Sequence, residues 1–182
     1  MNAIELLLNR QSNPALCAPY SHEKDLETIL QAGMRVPDHG CISPWHFKII
    51  KDDGLQKLSD IFVDVVTDQN VDEVRLVKTG KMPFRAPMII VISTNFQTHE
   101  KVPEQEQVVA AGCAAHAMQM ASYALGYGAM WRTGELSYNK KVKTALDVTG
   151  ENQIIGFLYI GTESKTIPNK KAKPYQDHVS YL

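Results

Sequence analysis

Apolar positions along the 182-residue chain recur at two periods, and the switches between them mark the expected elements. AIELLLNR reads as a short helix running to Arg10, closed off by the polar QSNP. A second helix is expected from Ser21, a good N-cap, with Glu23 and Asp25 at its positive end. Leu26, Ile29, Leu30 and Met34 give that helix its buried stripe, and Pro37 stops it. In the stretch RVPDHGCISPWHF the period changes. Trp45, Phe47 and Ile49 alternate with His46 and Lys48, which predicts a strand with one face inward.

Leu55, Leu58, Phe62 and Val65 mark a third helix, and VDEVRLVKTGK a weaker one in a polar region. MIIVIST, after Pro87, is the unbroken apolar run of a strand covered on both faces. A long helix is predicted from about Pro103 to Leu125, apolar nearly all round and shallow-surfaced because it is rich in alanine. A single domain of this size seldom hides such a helix completely, so a homodimer packed along it is expected. GAMWRTG reads as a short strand, Ser137 as the cap of a helix through Leu146, and QIIGFLYIG as a second apolar strand. Residues 162–182 are too polar to fold on themselves yet end in HVSYL, the composition of a tail that wraps onto a partner subunit.

Strands interleaved with helices in one chain of this length predict a single α/β or α+β sheet domain over residues 1–182. Composition then removes whole classes. A formal net charge of −1 indicates neither nucleic acid nor an anionic membrane as partner. Cys17, Cys41 and Cys113 are odd in number and unpaired in spacing, as for reduced thiols. The first residues carry no basic lead or cleavage site, and no apolar run approaches a membrane span. A cytoplasmic protein is expected. GYGAMW follows a helix and precedes a strand, the reverse of a dinucleotide fingerprint, and there is no P-loop.

The candidate chemistry sits at element boundaries. Of five arginines, Arg10, Arg35 and Arg132 fall at the ends of elements, beside Ser12, His39 and Thr133. A planar guanidinium suits phosphate and carbonyl oxygens, whereas a blander reading makes each a helix-end charge. His39, Cys41 and His46 do not have zinc spacing and lack a second ligand pair. Cys113 and His116 lie one helical turn apart, but within an alanine-rich helix a small apolar thiol and a satisfied histidine outweigh a nucleophile–base pair. Trp45 and Trp131 follow tight Pro or Gly segments, and Gly126 and Gly128 mark backbone that must bend or approach closely.

Taken in order, ELLLNRQS, ILQAGMRVPDHGCISPWHFKII, AAGCAAHAMQMASYALGYGAMWRTG and IIGFLYIGT resemble the FMN-dependent nitroreductase family, in its small YdjA-like branch. The resemblance covers nearly the whole chain. It implies an α+β fold with a mixed central sheet wrapped by helices, in an intertwined homodimer with the long helix at the interface. It further implies that Arg10, Gln11 and Ser12 hold the FMN phosphate side, and that Arg35 and His39 reach the flavin from the other subunit. Trp131, Arg132 and Thr133 would add contacts from their turn, and Ala121, Ser122, Tyr123, Ala124, Leu125 and Gly126 would meet the nicotinamide nucleotide. Gln11 stands where a second arginine is common and Ser43 where the family usually has glutamine, so one phosphate-pairing charge and one ring contact are missing.

The function this implies is an FMN oxidoreductase without a metal or a side-chain acid–base catalyst. It would take hydride from NAD(P)H and pass electrons to a small acceptor, a nitroaromatic or quinone, by a ping-pong cycle. Two alternatives stay open: a specialised enzyme of the same fold acting on flavin or one metabolite, and a flavin-binding or sensor dimer with little turnover.

Overall fold

The structure is a computed structural model describing residues 1–20, 22–69, 71–168 and 170–182. Ser21, the expected cap of the second helix, lies outside the described residues. Helix α1 (Ala3–Asn9) opens with a capping box in which Asn2 and Glu5 exchange side chain-to-backbone bonds. A two-residue strand β1 (Leu16–Cys17), which no periodicity announces, leads to α2 (Glu23–Gly33). Strand β2 (Trp45–Lys51), helices α3 (Asp53–Thr67) and α4 (Glu73–Gly80), and strand β3 (Met88–Thr94) follow. The 21-residue helix α5 (Glu104–Ala124) precedes β4 (Gly128–Arg132), α6 (Glu135–Tyr138), α7 (Lys140–Ala145) and β5 (Ile154–Glu163).

The helix expected to start at Ser137 is instead two. Ser137 lies buried inside α6, and Asn139 breaks the run. Its side chain accepts from the backbone N–H groups of Lys141 and Val142 and so caps α7.

The sheet runs β1–β5–β3–β2, with β4 also pairing β5. Every observed pairing is antiparallel, where a mixed sheet was expected. The reason is topological. α5 carries the chain from β3 to a parallel β4, but β5 inserts between the two and runs against both.

Side chains alternate across the central strands. Ile89, Val91, Phe157 and Tyr159 face α3 and α7, whereas Met88, Ile90, Ile92, Leu158 and Ile160 face α2 and α5. β3 is buried at all seven positions, as its unbroken apolar run predicts, and each of its side chains from Met88 to Ile92 contributes roughly 1.5–3 kcal/mol of burial. β2 departs from one-sided alternation. Trp45 and Phe47 pack toward α5, but Ile50 joins the α3 core and Ile49 is 38% exposed.

Candidate functional site

The segment after α1 is held from three sides. Asn13 is fully buried; its N–H donates to the Ala129 carbonyl, its side-chain amide donates to Lys165 O, and its side-chain oxygen accepts from Ala15 N. Those bonds lay residues 10–13 against the start of β4 and the chain's own C-terminal segment. Arg10 Nη1 then donates to Ser12 Oγ at 3.4 Å, and Gln119 Nε2, from buried α5, donates to the same oxygen at 3.2 Å. Gln11 turns the other way: its amide donates to Ile167 O, and its oxygen accepts from Lys170 N. The first candidate cluster is therefore a guanidinium and an oriented hydroxyl on the C-terminal half of α5.

The second candidate cluster is at the other end of that helix. The loop from Arg35 to Pro44 turns through left-handed backbone at Gly40, Cys41 and Ser43. Asp38 braces the turn, its Oδ2 accepting from Ser43 N at 2.7 Å. His39 Nδ1 lies 2.5 Å from Glu106 Oε2; because a carboxylate only accepts, Nδ1–H donates, and Nε2 has no partner among the described residues. Arg35 is exposed, with no side-chain partner among the described residues. An open groove of about 490 Å³ runs beside the pair, walled by Pro37, Pro103, Val109, Ala110 and Cys113.

Glu106 and Gln119 stand 13 residues apart on one helix, so about 20 Å separates the two clusters within a chain. The face of α5 between them carries Val109, Gly112, Cys113 and His116, all at least partly exposed. Val109 is 60% exposed, and Leu8 on α1, a helix with no buried residue, is 79% exposed.

Residues 121–126 form the end of α5. Gly126 adopts φ 88°, and Tyr127 N donates to Ser122 O, a left-handed helix stop. Ser122 is buried and spends its hydroxyl on Met118 O, whereas Ala124, Leu125 and Gly126 are exposed. A helix C-terminus presents carbonyls, so this end offers contact surface but no cradle for phosphate.

Strand alternation splits the predicted turn triad. Trp131 lies over Gly156 on the α5 side, donating Nε1 to Ile155 O. The Arg132 side chain points to the opposite face, 5.5 Å above the Tyr159 ring, and Thr133 is exposed at the strand end. Only the backbone of Arg132 is available on the Trp131 side. Burial, and then the neighbouring Arg85 charge, lower the Arg132 pKa.

Sequence reasoning missed Asn13, Gln119, Asp38 and Glu106 as parts of the site. QSNP held the one local signal, an Asx residue that closes its own turn. The others became visible only when α5 met the loops.

Residues 19–162 match the nitroreductase family. The chain is 41% identical over 162 residues to "Putative NAD(P)H nitroreductase YdjA" of Escherichia coli (strain K12), covering 89% of this chain and 88% of that one. It is 33% identical over 184 residues to "Putative NAD(P)H nitroreductase" of Haemophilus influenzae, over the full length of both. Among solved structures, the nitroreductase-like family protein from Bacillus cereus superposes with TM-score 0.85 at 22% identity, over 100% of this chain and 96% of that one. An FMN-dependent nitroreductase from Clostridium difficile R20291 superposes with TM-score 0.72 at 20% identity, over 98% of each. Sequence match over most of the length and agreement of fold carry one conclusion: this chain belongs to the nitroreductase family.

Proposed function

We propose that the chain is a homodimeric FMN oxidoreductase that uses NAD(P)H to reduce small nitroaromatic or quinone acceptors. The single observation that carries this is the placement of two complementary half-sites at opposite ends of one partly exposed helix. An isologous pairing of α5 against its copy brings the Glu106 end of one subunit to the Gln119 end of the other. Gly112 falls midway between them, where a missing side chain lets two helices approach. Two composite sites result, each with a phosphate end and a ring end. The apolar residues left uncovered on α1 and α5 support the same association, since patches of that kind mark interfaces.

The donor set fits FMN. Arg10 and the Ser12 hydroxyl hold the phosphate through charge-assisted bonds, and Gln119 keeps that hydroxyl in place. From the partner, His39 offers Nε2 to the ring edge while Glu106 fixes the imidazole, and Arg35 adds a free guanidinium. Trp131, the backbone of Arg132 and Thr133 bound the ring from the sheet. Of residues 121–126, the exposed Ala124, Leu125 and Gly126 are those open to the nucleotide. Bound there, FMN supplies the chemistry itself, accepting hydride from NAD(P)H and returning electrons to the second substrate in a ping-pong cycle. The protein's part is to bind, orient and exclude water. Residues 171–182 are exposed, and their crossing onto the partner is part of the same reading.

The test is an absorption spectrum of purified protein after loading with FMN and desalting, followed by anaerobic NADPH or NADH and then a quinone. A retained flavin band that bleaches with nucleotide and recovers with quinone is expected. A colourless protein overturns the reading. A flavin that stays oxidised moves it to the low-turnover binder. Arg10→Ala is expected to weaken FMN roughly tenfold to a hundredfold, as loss of a bond to a charged group does, and to leave riboflavin affinity unchanged.

A further inference from the structure

Behind β4, on the sheet face opposite Ser12 and Gln119, a cavity of about 280 Å³ contains two of the five arginines. We propose that it is a binding site for a small organic anion, a carboxylate on an apolar body, held by Arg85 and Arg132. This inference does not rest on the flavin reading: both guanidiniums lie on the sheet face opposite Ser12, and apart from the Arg132 backbone only Thr133, at the strand end, lines this cavity and is also placed beside the ring.

The walls are apolar: Phe62, Met130, Leu136 and Phe157 come from α3, β4, α6 and β5. Against them stand two guanidiniums and no carboxylate among the lining residues. Arg132 Nε is buried and has no hydrogen-bond partner among the described residues. A buried charged donor without an acceptor is unfavourable, so the cavity is suited to a ligand that brings one. The Arg132 guanidinium carbon lies 5.5 Å from the Tyr159 ring centroid, a cation–π contact that leaves Nε without an acceptor.

The neighbouring ion pairs do not relieve the two charges. Glu135, the acidic residue next to Leu136, is taken by Arg75 from α4. Neither Arg85 nor Arg132 forms an ion pair among the described residues. Two like charges held close in partly buried surroundings repel each other, which is why each needs the anion that the chain itself omits. A carboxylate matches the planar fork of arginine in two parallel bonds. The apolar walls select an anion with an apolar body over strongly hydrated inorganic phosphate. The volume is ample for one substituted ring.

Met82 and Met130 line the cavity, so their methyl groups report on it directly. The experiment titrates FMN-supplemented full-length protein carrying ¹³C-methyl methionine with benzoate, benzyl alcohol or inorganic phosphate, following those two methyl resonances by NMR. Benzoate is expected to shift both saturably. Benzyl alcohol and phosphate should bind at least tenfold more weakly, and Arg85→Gln should weaken benzoate at least tenfold. Equal response to benzyl alcohol, or undiminished response in Arg85→Gln, overturns the anion assignment. Equal response to phosphate overturns the apolar-body assignment, and absence of saturable shifts overturns the site. If Arg85→Gln does not fold, Arg85→Lys keeps the charge without the fork, and severalfold weakening is expected there. The comparison of benzoate with benzyl alcohol decides the question on the unmodified chain. Benzoate bound near a flavin instead leaves Met82 and Met130 unmoved, and the flavin absorbance of the same sample reports the other reading separately.

Discussion

At Gly156 the β5 backbone passes directly under the Trp131 indole. A Cβ built there meets Trp131 Nε1 at 2.1 Å and the Arg132 carbonyl at 2.9 Å, too close for either to stay. Gly156→Ala is therefore expected to push the indole off the strand, break its bond to Ile155 O and cost about 1–3 kcal/mol, as overpacking does. Urea unfolding measures the loss, and a changed tryptophan emission in the folded state identifies its cause. A substitution costing under half a kcal/mol would show that the indole is not held there. Asn13 works by the opposite logic. It is small, polar and wholly buried, and it is tolerated because its N–H, side-chain amide and side-chain oxygen each have a partner. It anchors the backbone beside Arg10 and Ser12, whose side chains are then oriented by their own bond and by Gln119.

At the scale of the element, the chain uses short polar signals to stop and restart helices. Asn139 separates α6 from α7 by receiving two backbone N–H groups, which six residues of helix could not satisfy alone. Asn139→Ala should cost about 1 kcal/mol and Asn139→Asp nearly nothing, compared by thermal unfolding. An alanine variant as stable as the parent would assign the break to packing instead. The loop from Arg35 to Pro44 is the other controlling element. Its left-handed residues and the Asp38 brace set His39 against Glu106, so a loop and a helix N-terminus that share no sequence signal meet as one half of the proposed site.

For the whole molecule, the proposed dimer rests on the uncovered face of α5. Val109→Glu places a charge in the middle of the proposed interface and is expected to give monomers by sedimentation, with loss of flavin retention in step. Dimers that persist would move the interface elsewhere. Two tyrosines govern the alkaline side of stability. Burial raises the Tyr159 pKa, and donation to Asp25 raises that of Tyr127. A raised folded pKa means that the unfolded chain releases its proton first, so this contribution is whole below about pH 10 and lost as pH climbs beyond it. Tyr159→Phe should flatten that limb in urea titrations from pH 8 to 11, and an unchanged slope would contradict the assignment.

How much of this was legible in the residues follows from what each signal depends on. Periodicity and caps are local, so α2, α3, α5, β2, β3 and β5 could be placed from the chain, and the order of motifs identified the family resemblance. The left-handed turn at Gly126 and the tight approach at Gly128, where a Cβ would strike Leu16, were legible for the same reason. Strand partners are not local. β5 entering between β3 and β4 made the sheet antiparallel and sent Trp131 and Arg132 to opposite faces, which no reading of GAMWRTG alone resolves. The two-residue β1 has no period to read, and the division at Asn139 depends on which of two good caps the fold leaves free. The sequence by itself determined the elements, their amphipathic faces and most of the polar residues that matter. Only the tertiary structure decided which of those residues meet, because Asn13, Gln119, Glu106 and Arg85 acquire their roles from neighbours distant in the chain.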